Sequence, residues 1–249
     1  MKRILIIGDS CQDIFVYCTC KRLAPEFPVQ VLDESHKTLN GGMAKNVEAN
    51  ILSLGINCDI ITNNNWQSIT KTRYVDRDSN YMFIRVDSNY KIDSCNVDID
   101  SINWDKYDAV IVSDYDKGFI SAEDINSICK NHSCVFLDTK KRLDTWAESA
   151  KFIKINYVEY TNSKDIIDKN KVLSNKVIYT KGAEGVYYQG KHYNVKPVEV
   201  KDVSGAGDSF LAGLVTEYIN TSNIEKSITF ANECASEAVK HKGVTGGLK

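Results

Sequence analysis

Residues Asp202-Val-Ser-Gly-Ala-Gly-Asp208 run into Phe210, Leu211, Leu214, Val215, Tyr218 and Ile219, which recur at helical spacing. A glycine-rich turn opening a helix presents backbone N–H groups at the positive end of the helix dipole, where a phosphate or a developing negative charge can sit. Asp208 falls in the first helical turn, where a carboxylate is expected to stay ionised and can accept a proton from an attacking hydroxyl. In a phosphoryl transfer Asp208 is then the base, and the N–H groups of Gly205, Ala206 and Gly207 stabilise charge on the transferred group. The same residues also suit a plain glycine turn whose aspartate only favours the dipole.

Two further groups are candidates. Asn156-Tyr-Val-Glu159 follows an apolar strand, and positions three apart share one side of a helical turn, so the amide and the carboxylate can organise Mg²⁺ and its waters or simply start a helix. Thr180-Lys-Gly182-Ala-Glu-Gly185 is a turn that can let a nucleotide approach the backbone, or a hairpin whose glycines supply positive φ. Gly185-Val-Tyr-Tyr-Gln-Gly190-Lys191 mimics a P-loop, but His192 stands where Ser or Thr is needed and extended chain follows. That reading is rejected.

The elements that must position these residues are legible as short β-branched runs with helices between them. Ile4 to Ile7, Ala109 to Val112, Val135 to Leu137, Phe152 to Ile155 and Val177 to Tyr179 are continuously apolar, as strands of a parallel sheet covered on both faces are. Met43, Val47 and Ile51 share a helix face that Gly55 can end, and Ser121 with Asp124 can start a helix burying Ile125, Ile128 and Cys129. Ser222 and Glu225 have capping-box spacing before Ile224, Ile228, Ala231 and Ala235. Residues 13 to 40 and 70 to 90 lack helical periodicity and contain strand-like segments, which predicts a small sheet projecting as a lid.

With 249 residues, 43% hydrophobic and 26% charged, the chain can bury a core and is too balanced to be disordered. Lys and Arg number 31 against 33 Asp and Glu, so no overall charge favours nucleic acid or an anionic membrane. Ile4 to Ile7 is too short for a signal-peptide core and no segment is long enough to span a membrane, so a cytoplasmic location is expected. The eight cysteines lack CxxC spacing and read as free thiols.

Taken in order, these residues resemble the ribokinase-like, or phosphofructokinase-B, family of sugar kinases. Gly8-Asp9 through Asp13 and Gly41-Gly42-Met-Ala-Lys-Asn46 join the three groups above, so the similarity covers nearly the whole chain. The resemblance implies one domain over 1–249, with an α/β ribokinase-like fold: a central, mostly parallel sheet with helices on both faces plus a small β-lid. It implies an ATP-dependent kinase with Asp208 as base, the backbone of Gly205, Ala206 and Gly207 as anion hole, and Asn156 and Glu159 at Mg²⁺, through water. It sets Thr180, Gly182 and Gly185 beside the nucleotide, and Asp13, Gly42 and Asn46 on the sugar hydroxyls. The lid would cover the sugar and join two copies into a homodimer.

A narrower resemblance is to D-glycero-beta-D-manno-heptose-7-phosphate kinases, carried by Arg22-Leu-Ala-Pro25-Glu26-Phe-Pro28, Thr70-Lys71-Thr-Arg73, Ile84-Arg85-Val-Asp87, Ser113-Asp114-Tyr115-Asp-Lys117-Gly118 and Asp138-Thr-Lys140. A phosphorylated sugar needs cations, and Lys71, Arg73, Arg85, Lys117 and Lys140 are candidates, though each can equally be a surface base. The implied substrate is the O1 hydroxyl of a heptose 7-phosphate. Another sugar or a nucleoside, or a non-catalytic protein that binds nucleotide or sugar phosphate, are the competing expectations. The segment between Ile61 and Thr70 is shorter than is usual in the family, and Lys45 precedes Asn46 where a small residue is commoner.

Overall fold

The computed structural model describes residues 2–79, 81–88, 91–95 and 98–241. In chain order the strands and helices are β1 (Arg3–Gly8), β2 (Ser10–Leu23), β3 (Gln30–Met43), α1 (Ala44–Ser53), β4 (Asn57–Ile61), β5 (Thr70–Asp76), β6 (Met82–Ser88), β7 (Ala109–Asp114) and α2 (Ala122–Asn131). They continue as β8 (Val135–Thr139), β9 (Phe152–Asn156), α3 (Tyr157–Lys169), α4 (Lys171–Ser174), β10 (Val177–Thr180), β11 (Val186–Tyr188), β12 (Lys191–Tyr193), α5 (Ala206–Thr221) and α6 (Ile224–Ala238).

Among the described residues the strands form two sheets. The larger has eight strands in the order β12-β11-β10-β9-β8-β7-β1-β4, parallel from β10 to β4, with β11 and β12 antiparallel at one edge. Its apolar strands are buried on both faces because each face carries its own core. Leu5, Val110, Val112 and Leu137 pack against Ile125 and Ile128 of α2. Ile4, Ile6, Ile111 and Phe136 pack against Val47 and Ile51 of α1 and Phe210, Leu214 and Val215 of α5.

The second sheet has the order β3-β2-β5-β6, with β2 and β5 parallel and the outer pairs antiparallel. The chain passes from β1 into β2 within two residues and returns through β3 into α1, so Asp9, Gly42 and Met43 lie at the seam of the two sheets. Gly8 is required there: a Cβ on it would lie 1.9 Å from the Ser113 carbonyl oxygen of β7.

Helix starts follow local side-chain chemistry. Ser121 and Asp124 form a reciprocal capping box at α2. At α6 the structure corrects the sequence expectation: Asn223, not Ser222, accepts the Lys226 N–H and caps the helix. Ser222 instead ends α5 in a left-handed conformation, with φ of 53°. The short connection between Ile61 and Thr70 holds a single 3-10 turn, Trp66–Ser68.

Candidate active site

The carboxyl ends of the parallel strands converge where α5 begins, the edge at which open α/β sheets place ligands. Gly8, Ser113 and Asp138 are register neighbours on β1, β7 and β8; Asp138 neighbours Lys154 on β9, and Asn156 neighbours Thr180 on β10.

Gly205 precedes α5 in the left-handed region, φ 80°, which lets the chain turn sharply into the helix. Asp202 tightens the approach by accepting the Ser204 N–H at 2.8 Å. This leaves Asp208 buried in the first turn of α5, where the Ala206 N–H donates to the Val203 carbonyl at 3.3 Å. Asn46 of α1 donates its Nδ2 to Asp208 Oδ2 at 2.7 Å, and the Tyr115 hydroxyl donates to Oδ1 at 2.8 Å.

The expectation of an ordinarily ionised carboxylate at Asp208 needs amending. Burial raises its proton affinity and the Asp138 charge adds to this, while the donors from Asn46 and Tyr115 and the Lys154 ammonium oppose it. The result is a carboxyl above the usual range whose charged form depends on its hydrogen-bond donors.

Lys154 and Asp138 form a buried ion pair at 2.6 Å, and Lys154 Nζ lies 3.2 Å from where a Cβ on Gly207 would stand. The glycine turn therefore has an ammonium group against it, a cation that motif reading missed. A signal for it existed. A lysine inside the apolar run Phe152-Ile-Lys-Ile, on a strand covered on both faces, must find a buried partner or an anionic ligand. Asp138 Oδ1 is buried and has no hydrogen-bond partner among the described residues.

On the side of the second sheet, Asp13 of β2 receives Arg73 Nη1 at 2.6 Å, and Arg73 also lies over the Phe15 ring. Gly42 faces the same carboxylate: a Cβ there would lie 2.5 Å from Asp13 Oδ2 and 2.8 Å from Cys11 Sγ. The Lys71 and Lys140 ammonium groups each lie 5.3 Å from the centre of the Tyr115 ring. Lys71 and Lys117 line a cavity of about 30 Å³ with Met43, Ile69, Asp87 and Ser88. A larger cavity, about 240 Å³, runs between Phe15, Val75 and Met82 and the segment from Val200 to Val203.

Thus Asp208 and Asn46 meet directly, Asp13, Gly42 and Arg73 form a second group, and Lys71 and Lys140 join Asp208 through Tyr115. Arg85 is the register neighbour of Arg73 on β6, half exposed and paired with Asp87 on its own strand. Lys117 contributes its backbone N–H to Asp9 Oδ2 at 3.3 Å, alongside the Tyr115 N–H at 2.7 Å.

Asn156 and Glu159 cap α3 reciprocally: Glu159 Oε2 accepts the Asn156 N–H, and Asn156 Oδ1 accepts the Glu159 N–H. Glu159 Oε1 accepts Asn156 Nδ2 and pairs with Lys140. These oxygens are hard donors of the kind Mg²⁺ takes, yet each already has a protein donor, which suits contact through water rather than direct ligation. Thr180 ends β10 beside Asn156, while Gly182 (φ 54°) and Gly185 (φ 92°) turn the chain back into β11. Close approach fixes Gly185, because a Cβ there would lie 2.2 Å from the Tyr193 carbonyl oxygen. Tyr160, Tyr179, Tyr187 and His192 stack in succession across this end of the sheet, at 4.0, 5.0 and 4.4 Å between ring centres.

Comparison with known proteins agrees with this fold. Residues 43–249 match the model of the pfkB family carbohydrate kinases. The bifunctional protein HldE of Helicobacter pylori is 27% identical over 98% of this chain and 64% of its own length, and that of a Nitratiruptor species 29% identical over 97% and 62%. The chain therefore spans a little under two thirds of these curated relatives. Among solved structures, the nucleoside kinase of Methanocaldococcus jannaschii superposes with a TM-score of 0.71 at 18% identity, covering 98% of this chain and 93% of the other. Thermotoga maritima ribokinase gives 0.72 at 17%, covering 98% and 95%, and Arabidopsis thaliana ribokinase, solved with ribose and ATP, 0.69 at 15%, covering 99% and 96%. These likenesses show a ribokinase-like fold.

Proposed function

Since this chain belongs to the pfkB family of carbohydrate kinases, we propose that it transfers the γ-phosphoryl group of ATP to a sugar hydroxyl, O1 of D-glycero-D-manno-heptose 7-phosphate. The observation that carries the transfer chemistry is the Asp208 carboxylate, buried at the start of α5 behind a glycine turn that has the Lys154 ammonium against it.

Asp208 accepts the proton of the attacking hydroxyl while the N–H groups of Gly205 and Gly207 donate to the transferred group, joined by that of Ala206 once it leaves the Val203 carbonyl. Lys154 adds positive charge on the same side. Mg²⁺ would neutralise phosphate charge, held near Asn156 and Glu159 through water. Asp13, Gly42 and Asn46 face the sugar, and the turn from Thr180 through Gly182 to Gly185 faces the nucleotide. The heptose-kinase motif residues and the similarity to the HldE proteins support the phosphorylated substrate, with Lys71, Lys117 and Lys140 as its cations.

We also propose that two copies pair through the second sheet. Leu39, Ile14, Thr72 and Val86 are register neighbours across its four strands, and Leu39 and Val86 are about half exposed, as is Ile84 two residues along β6. Such a row on one face is a surface that a second copy can cover.

The test is Mg²⁺-dependent ADP release with the heptose 7-phosphate, beside fructose 6-phosphate, ribose and no sugar. Heptose-dependent release is expected. Preference for an unphosphorylated sugar overturns the substrate assignment, and silence with every sugar in folded protein that binds ATP overturns the transfer itself.

A further inference from the structure

Tyr115 touches the candidate base, and in the sequence it stands only in the run Ser113-Asp-Tyr-Asp-Lys-Gly118, with no role assigned to it. It follows β7, and its backbone N–H is anchored on the buried carboxylate of Asp9. From there the side chain reaches across the strand ends to Asp208 Oδ1. Burial and the neighbouring Asp208 charge push the phenol well above its ordinary value, so it stays protonated and donates.

A buried carboxyl facing apolar surroundings tends to keep its proton, and a protonated base cannot take another. The titratable groups facing Asp208 are Lys154 of β9, Asp138 at the end of β8, Lys140 just beyond it, and the Cys11 thiol of β2, which burial pushes up to about 12 and keeps neutral. Asn46 of α1 holds Oδ2 without charge. Tyr115 is the second neutral donor, and it holds the other oxygen. Each carboxylate oxygen has room for about two donors, so Asn46 and Tyr115 leave acceptor capacity for an incoming hydroxyl.

We propose that Tyr115 is a positioning residue for phosphoryl transfer, its hydroxyl holding Asp208 ionised and turned toward the acceptor. This rests on the reading of Asp208 as the base. The phenol also reproduces the contact the acceptor must make, an O–H donating to the Asp208 carboxylate, so the carboxylate is arranged for a hydroxyl before the sugar arrives.

The test is Tyr115→Phe, which removes one oxygen and keeps the ring beside Lys71 and Lys140. With the sugar substrate that wild type turns over, kcat is expected to fall about tenfold with KM values for sugar and ATP little changed. The acid limb of the pH profile of kcat should move up by about one pH unit, because the donor that favours the charged form is gone. Thermal melting checks that the variant is folded, and Tyr115→Leu, which loses the same donor, should show the same acid-limb shift. An unchanged kcat with an unmoved acid limb overturns the proposal, and so does a lower kcat with an unmoved limb. Asp208→Asn separates the two readings. If it keeps full turnover, the base assignment fails; if it is inactive while Tyr115→Phe behaves as wild type, only the role of Tyr115 fails.

Discussion

Lys154 Nζ and Asp138 Oδ2 meet at 2.6 Å on neighbouring parallel strands, buried against the turn that opens α5. Taking two charges out of water is costly, and a well-packed apolar pair of similar volume often serves stability as well or better. The orphaned Asp138 Oδ1 makes this pair imperfect as a structural device. Its position beside Gly207 fits the proposed transfer, in which Lys154 would be a cation kept dry for a phosphoryl group.

Replacing Lys154 with Met should therefore have two separable effects. The single variant leaves Asp138 buried without its cation and should lose about 3–5 kcal/mol of stability together with turnover. The double variant Lys154→Met/Asp138→Leu should recover most of that stability and none of the turnover. Chemical denaturation and ADP release on both proteins check this. A double variant with near wild-type activity would make the pair purely structural.

Asp208→Asn removes the proposed base and keeps the shape of the site. Turnover should fall by roughly 10²–10⁴-fold, while binding of ATP, measured by calorimetry, stays within a few-fold of wild type.

Much of this arrangement could be read from residue types in order. The apolar runs from Ile4 to Val177 gave a parallel sheet because strands covered on both faces have no polar alternation, and the glycines before Asp208 located the start of α5. Contacts made across long sequence separations were not readable. Tyr115 and Asp208 are distant in sequence and meet only because β7 ends beside α5. The spacing of Asn156 and Glu159 is shared by a metal-organising pair and a capping box, and only the folded structure shows that the box is formed here. Ser222 failed as a cap for a local reason: it is consumed in the left-handed end of α5, one residue before Asn223 takes the role.

Asp9 makes the fold sensitive to pH. Burial first, and then the charge of Asp114, push its carboxyl up to about 6, against the stabilising N–H groups of Tyr115 and Lys117. The folded state then binds a proton between the ordinary carboxylate value and about 6 that the unfolded chain does not, so this residue's contribution to stability is lost as pH rises through about 6. Asp9→Asn cannot titrate. Its stability relative to wild type should therefore rise between about pH 5 and pH 7.5, by about 1.4 kcal/mol. A difference that stays constant with pH, measured by urea denaturation, would place Asp9 at an ordinary value.

Gly42, proposed to face the sugar, offers a variant that tests sugar binding apart from nucleotide binding. Its backbone is not in the left-handed region, so a side chain is excluded by space alone. The added Cβ of Gly42→Ala would meet Asp13 Oδ2 at 2.5 Å and Cys11 Sγ at 2.8 Å. Neither can retreat easily, because Cys11 is fully buried and Asp13 is held by Arg73 at 2.6 Å. Overpacking of this kind costs about 1–3 kcal/mol, and the carboxylate of Asp13 must move to relieve it. Displacement by even a fraction of an ångström spoils a hydrogen bond to a sugar hydroxyl, so KM for the sugar should rise about tenfold or more while KM for ATP changes little. Equal rises in both would show that the seam between the two sheets, rather than the sugar site, had given way.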